Sequence, residues 1–198
     1  MAELPVLSGG PGAPAATVER FLVAAAPLAD VAVGPVDAPF GRVWVAVTER
    51  GLVRVSFDAY DAVLAELAGR VSPRVVESAA RADAARRQLD AYFAGERTAF
   101  DLPLDDRLVR SDFQRRVLAA AAAIPYGRQR TYTEVATAAG NAKAVRAAGS
   151  ALGANPLCIV VPCHRVLRAG GGLGGYAGGL PVKRWLLDRE SDSRTLAR

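Results

Sequence analysis

Residues 131–154 read TYTEVATAAGNAKAVRAAGSALGA, and this stretch decides the fold of the second half of the chain. Thr131 and Glu134 stand three apart, the spacing of a capping box in which hydroxyl and carboxylate satisfy each other's backbone N–H groups. A short helix starts there, Gly140 stops it, and Asn141 leads into a second helix predicted over 142–154. Helix, short turn, helix is the outline of a helix-turn-helix. The second helix offers Ala and Gly where base-reading side chains would stand, with Arg146 as its one long projecting side chain. Small residues permit close approach to a shallow groove or a backbone, and they serve equally to pack a core. Upstream, Ser111 and Gln114 make a second capping box for a helix over 113–123, which ends at Ile124-Pro-Tyr-Gly127.

Downstream, Leu157–Val161 reads as an apolar strand, followed by Pro162-Cys-His-Arg-Val166, a loop with seven glycines between Gly170 and Gly179, and a closing helix over 182–190 with Pro181 at its start. Cys163 follows a proline and adjoins His164, the sole histidine. A thiol near His and Arg in electropositive surroundings is a nucleophile candidate, because the thiolate is the reactive form. Simple burial is the alternative. Neighbours on an extended chain point to opposite sides, so His164 reaches the thiol only through a turn or a bridging water. Glu190 is a candidate to orient His164, or else a surface carboxylate at a helix end. Cys158 reads as a small buried hydrophobe. An extended chain would set the Cα atoms of Cys158 and Cys163 on the order of 16 Å apart, too far for a disulfide. Two Cys and one His fall short of a structural zinc site. The glycine run lacks a following Gly-Lys-Ser/Thr and is no phosphate cradle. It lets backbone approach a ligand, with Tyr176 as its only aromatic residue.

Upstream of all this the chain reads as residues 1–36, a Gly/Pro/Ala-rich extension with at most a short helix near 17–25; 37–106, an α/β domain ending in a linker over 96–110; and 107–198, the basic domain. Residues 41–57 alternate as Val43, Val45, Val47 and Val53, Val55, Phe57 around Glu49-Arg50-Gly51, the pattern of a hairpin. Two amphipathic helices follow, one burying Val63, Leu64 and Leu67, the other Ala82, Ala85, Leu89, Tyr92 and Phe93 before Gly95. The fold class is therefore an α/β N-terminal domain with a small antiparallel sheet, joined to a mostly helical, winged-helix-like C-terminal domain. Residues 1–106 carry 10 Arg against 15 acidic residues, whereas 107–198 carry 15 basic against 5 acidic. Such segregation suggests a polyanionic partner for the second half. The composition is 51% hydrophobic, without an apolar run long enough to span a membrane. With no signal-like start and lysine nearly replaced by arginine, the chain is expected in a bacterial cytoplasm.

Taken with Thr131-Tyr-Thr-Glu134, Lys143-Ala-Val-Arg146, Gly153-Ala-Asn-Pro156, Gly175-Tyr-Ala-Gly-Gly179 and Lys183-Arg-Trp-Leu-Leu-Asp-Arg-Glu190, the pentapeptide 162–166 resembles the O6-alkylguanine-DNA alkyltransferases, or methylated-DNA–protein-cysteine methyltransferases. The resemblance is strong over 112–191 and holds only in outline over 41–106. It implies DNA repair by a suicide methyltransferase: a helix-turn-helix binds the minor groove of duplex DNA, an O6-alkylguanine is flipped out, and its alkyl group passes to Cys163 in a single turnover. O4-alkylthymine is a possible second substrate. By the same resemblance His164 acts on Cys163 through water, Glu190 holds His164, Asn155 orders the active-site turn, and Tyr132 rotates the nucleotide and stabilises the leaving guanine. Arg146 takes the place of the extruded base, with Thr131, Tyr132, Ala147, Gly149 and Ser150 on the DNA-binding face. Tyr176, Ala177 and Val166 line the substrate pocket. No cofactor is expected, and no metal, because the chain lacks the N-terminal Cys and His set that binds zinc in some members of the family; a monomer without a membrane partner is expected. Ala177 stands where some members have serine, which leaves hydrogen bonding from this loop to the backbone. Two other readings stay open: a non-catalytic sensor of alkylated DNA, and a cysteine hydrolase using Cys163 and His164.

Overall fold

The computed structural model describes residues 29–192. The helix expected near 17–25 lies outside them. Strands β1 (Val31–Ala38), β2 (Gly41–Thr48) and β3 (Gly51–Ser56) are followed by α1 (Tyr60–Arg70), β4 (Val75–Glu77) and α2 (Asp83–Ala94). The strands form one sheet in the order β3-β2-β1-β4. It is mixed rather than purely antiparallel, because β4 pairs parallel to β1. The expected hairpin is β2–β3, with Val45 opposite Val55. Its faces bury separately: Val43, Val45 and Val55 pack with Leu89 and Tyr92 of α2, while Ala46 and Val53 pack with Val63 and Leu67 of α1. Each fully buried aliphatic side chain of this kind contributes roughly 1.5–3 kcal/mol.

The extension predicted over 1–36 is too long at its C-terminal end, since Val31–Val36 belong to β1. Gly34 and Pro35 read as loop punctuation, but both have places in the strand. A Cβ on Gly34 would meet Ala82 Cβ and Arg86 Cδ at 3.0 Å, so glycine lets α2 lie close against the sheet. Pro35 sits beyond Val31–Val33, the part of β1 that pairs with β4, where its missing N–H is not needed by that neighbour. The expected linker over 96–110 is not loose. Leu52 N donates to Pro103 O at 2.9 Å and Asp105 N to Leu52 O at 2.8 Å, which straps this segment along β3.

The second half contains α3 (Asp112–Ala122), β5 (Arg130–Thr131), α4 (Tyr132–Ala138), α5 (Val145–Gly153), a 3-10 turn (Cys163–Arg165), β6 (Val166–Leu167) and α6 (Gly179–Asp192). The Thr131–Glu134 box forms reciprocally, but at Ser111 only half of the expected box does: Ser111 accepts from Gln114 N, while the Gln114 side chain accepts from Arg110 N and donates to Ala151 O and Ala154 O. Helix α5 starts later than the predicted 142. Asn141 Oδ1 accepts from Lys143 N and Asn141 O from Ala144 N, a side-chain-stabilised turn that competes with helix. Leu157–Val161 is not a strand. The segment reverses on itself, with Val161 N donating to Leu157 O at 2.8 Å and Ile159 at φ 73°. Val55 N also donates to Pro156 O at 2.8 Å, tying β3 to this turn. The halves share one core in which Val55, Leu89 and Tyr92 meet Val117, Ile159 and Leu186. Among the described residues no helix is long and apolar enough to cross a membrane.

Candidate active site

The turn over 155–161 is built around Asn155, which is 2% exposed. Its Oδ1 accepts from Leu157 N at 2.9 Å, and its Nδ2 donates to Val161 O at 2.9 Å and to Cys163 Sγ at 3.2 Å. One amide thus closes the turn and aims the sulfur. The 3-10 turn then rotates successive side chains inward, so that Cys163, His164 and Arg165 are all buried. Extended geometry could not do this. The reversal also overturns the extended geometry expected between the cysteines: Cys158 Sγ donates to Asn155 O at 3.4 Å, so the residue that aims Cys163 also touches Cys158. The neighbouring Cys158 thiol, the Asn155 amide and the Lys183 ammonium hold Cys163 below the ordinary thiol value although burial opposes them.

Behind the thiol lies a buried polar cluster. Glu190, 1% exposed, accepts from His164 Nε2 at 2.9 Å, Tyr92 OH at 2.7 Å, Arg165 Nη2 at 2.8 Å and Gly127 N at 3.0 Å. Burial alone would raise this carboxyl, but the donors from His164 and Arg165 prevail and hold it at about 2. A carboxylate surrounded by donors requires His164 to donate from Nε2, which assigns the tautomer and leaves Nδ1 with a bare lone pair. Nδ1 is buried and has no hydrogen-bond partner. Burial lowers the His164 value, partly offset by Glu190, so the ring is neutral near pH 7 and able to accept a proton.

In front of the thiol is a pocket of about 640 Å³, lined by Cys163, Tyr132, Arg146, Gly149, Tyr176 and Ala177 among others. Tyr132 is placed by two glycines. A Cβ at Gly149 on α5 would lie 3.8 Å from its ring, and one at Gly174, whose φ is +68°, would meet its hydroxyl at 2.5 Å. Burial, then the nearby Cys163, push the Tyr132 phenol up, so it stays protonated and can donate. Tyr176 packs its edge on Phe57 at 5.6 Å and on His164 at 6.3 Å, and its buried hydroxyl has no partner.

The structure gathers Cys163, His164, Glu190 and Asn155 into one cluster, with Tyr132, Tyr176 and Ala177 on the pocket wall. Helix α5 divides by face: Ala148, Ala151 and Leu152 are buried, while Arg146, Ala147 and Ser150 are exposed and Gly149 half-buried. Thr131 spends its hydroxyl on the capping box and is not on the pocket wall. Val166 is a correction. It is fully buried behind the pocket, and its carbonyl, not its side chain, is used.

Three residues escape the sequence reading. Arg165 forks onto Glu190 and donates from Nη1 to Ile124 O at 2.5 Å. An arginine inside an otherwise buried run is itself a signal, because a buried cation needs a carboxylate. Lys183, fully buried, donates to Val166 O at 2.6 Å and to Leu173 O, pinning the glycine loop against β6. Burial brings its ammonium down to about 8. Arg168 stands exposed on the pocket wall. Among the described residues no group of three or more His, Cys, Asp or Glu could hold a metal.

Comparison with known proteins adds a second line. Residues 112–192 match the 6-O-methylguanine DNA methyltransferase DNA-binding domain, and residues 33–105 the ribonuclease-like domain of the same proteins. A methylated-DNA–protein-cysteine methyltransferase from Methanosarcina acetivorans is 43% identical over 154 residues, 78% of this chain and 94% of that protein. The fold resembles Mycobacterium tuberculosis OGT in complex with DNA at a TM-score of 0.70 and 39% identity, covering 81% of this chain and 93% of that one. The M. tuberculosis O6-methylguanine methyltransferase structure matches at a TM-score of 0.71 and 38% identity, over 85% and 99% of the two chains.

Proposed function

The chain belongs to the methylated-DNA–protein-cysteine methyltransferase family, and from that premise we propose that Cys163 accepts the alkyl group of an O6-alkylguanine flipped out of duplex DNA, once per molecule. The observation that carries this reading is the position of Cys163 Sγ, with a pocket in front and the neutral His164, held by Glu190, behind. The exposed Arg146, Ala147 and Ser150 of α5 enter the minor groove, where small residues permit close approach and Arg146 fills the space left in the base stack. Flipping costs a few kcal/mol and less for a poorly paired lesion, which selects damage without base-specific side chains.

Once the base is seated, His164 Nδ1 takes the Cys163 proton through an intervening water, and Glu190 stabilises the imidazolium that results. The thiolate attacks the alkyl carbon in line, the carbon–oxygen bond breaks, and its electron pair leaves on the guanine. Tyr132, protonated at neutral pH, donates to the developing negative charge. The thioether formed offers no low-energy route back, so the protein is consumed stoichiometrically; we take it to act as a monomer in a bacterial cytoplasm.

Intact mass and peptide mapping after one equivalent of O6-methylguanine duplex test the proposal. The expected result is a gain of about 14 Da, one methyl replacing the thiol proton, mapped to Cys163. Lesion binding with an unshifted mass would make the protein a sensor and overturn the catalytic reading.

A further inference from the structure

Cys158 has no part in the reaction above, yet its surroundings are not those of an inert core thiol. It is 2% exposed, and its Sγ donates to Asn155 O at 3.4 Å, while the Nδ2 of the same Asn155 donates to Cys163 Sγ at 3.2 Å. One residue therefore fixes both sulfurs. The backbone between them reverses through Ile159, with Val160 N bonded to Cys158 O at 2.9 Å and Cys163 N to Val161 O at 2.8 Å. This brings both thiols onto the same residue, Cys158 on the Asn155 carbonyl and Cys163 on its side-chain amide, and both are free. Their access differs. Cys163 is on the pocket wall, where a small solute can reach it, and Cys158 is screened behind it.

We propose that Cys158 is the resolving thiol of Cys163: a peroxide entering the pocket oxidises Cys163, and Cys158 then closes a reversible intramolecular disulfide with it. The Cys163 thiolate attacks one peroxide oxygen, the O–O bond breaks, hydroxide leaves, and a sulfenic acid remains. The Cys158 sulfur attacks the sulfenyl sulfur, the S–O bond breaks, and the Cys158 proton leaves with the hydroxyl as water. Overall, two thiols lose two electrons and one peroxide becomes two waters. A dithiol reductant reverses the step, whereas sulfinic acid is beyond its reach. In a protein whose acceptor serves once, over-oxidation of Cys163 is equivalent to loss of the molecule, and the disulfide stores it in recoverable form. The inference rests on Cys163 being the reactive thiolate of the proposed function.

The test treats the full-length protein with hydrogen peroxide, blocks residual thiols with N-ethylmaleimide under denaturing conditions, and reads intact mass and peptide map without reductant. Wild type is expected about 2 Da light with no maleimide adduct and a Cys158–Cys163 cross-link, and dithiothreitol should return methyl transfer to its untreated level. Cys158→Ser keeps the size and the hydrogen bond but cannot close the bridge, so it should gain about 32 Da as sulfinic acid and stay inactive after reduction. Equal over-oxidation of wild type and Cys158→Ser, or maleimide still found on Cys158, overturns the inference. Untreated samples assayed in parallel with O6-methylguanine duplex separate the two claims. A disulfide without methyl transfer sinks the proposed function alone, and methyl transfer without a disulfide sinks this one alone.

Discussion

The two halves of the molecule bury residues by different rules. Residues 31–94 build a sheet with helices on both faces and fill it with aliphatic side chains at regular periods. Residues 112–192 bury Asn155, His164 and Arg165 in turns and Lys183 and Glu190 on α6, and every residue on the pocket wall comes from this half. The first half nevertheless reaches across: Tyr92 OH donates to Glu190 and Phe57 supports Tyr176. The contrast separates scaffold from chemistry, and it also shows where the scaffold touches the chemistry.

The largest expected effect falls entirely in the second half. Cys163→Ala should abolish methyl gain by intact mass while lesion-duplex affinity stays within about twofold, since Cys163 is buried and the proposed DNA-binding side chains are the exposed ones of α5. Next comes the junction. Glu190→Gln leaves Arg165 buried without its counter-charge, a loss of about 3–5 kcal/mol in denaturant unfolding. The variant should also change the acid limb. Because the folded Glu190 value, about 2, lies below the ordinary 4.5, its contribution is present above pH 4.5 and is lost as pH falls toward 2. That contribution is about 3 kcal/mol, and a wild-type stability profile flat over this interval would contradict it. A smaller effect tests the reach of the first half. Tyr92→Phe removes one hydrogen bond to a charged group, with an expected loss of about 1.5–3 kcal/mol and slower transfer. An unchanged transfer rate would reduce Tyr92 to a packing residue. Smallest is Arg146→Ala, expected to weaken lesion binding about tenfold, near 1.4 kcal/mol, and to flatten its salt dependence without altering stability.

Much of the scaffold was legible because its residues obey period and cap rules. The β2–β3 alternation, the Leu89–Tyr92–Phe93 face and the Thr131–Glu134 box each state their structure locally. What failed depended on partners distant in sequence. Strand β1 is unreadable around Gly34-Pro35 because its justification is the close approach of α2, some fifty residues on. Leu157–Val161 has the composition of a buried strand but satisfies its backbone through Asn155 and its own turn, not through a ladder. Within the site, Cys163, His164 and Glu190 announced themselves as reactive types. Arg165 and Lys183 did not, because the expectation that cations face water fails where a carboxylate or carbonyls are waiting.

The strap formed by Pro103–Asp105 along β3 has a further consequence. An unpaired outer strand is a template on which a second chain can add, the first step towards fibrils. Here Leu52 N and O are both occupied by the strap, and Val55 N by Pro156. Asp105, fully buried, is fastened by Thr48 Oγ1 at 2.6 Å and Arg107 Nε at 2.8 Å. The connection between the halves thereby acts as a guard on the sheet, and loosening it at Asp105 should expose the protein to self-association before it loses its fold.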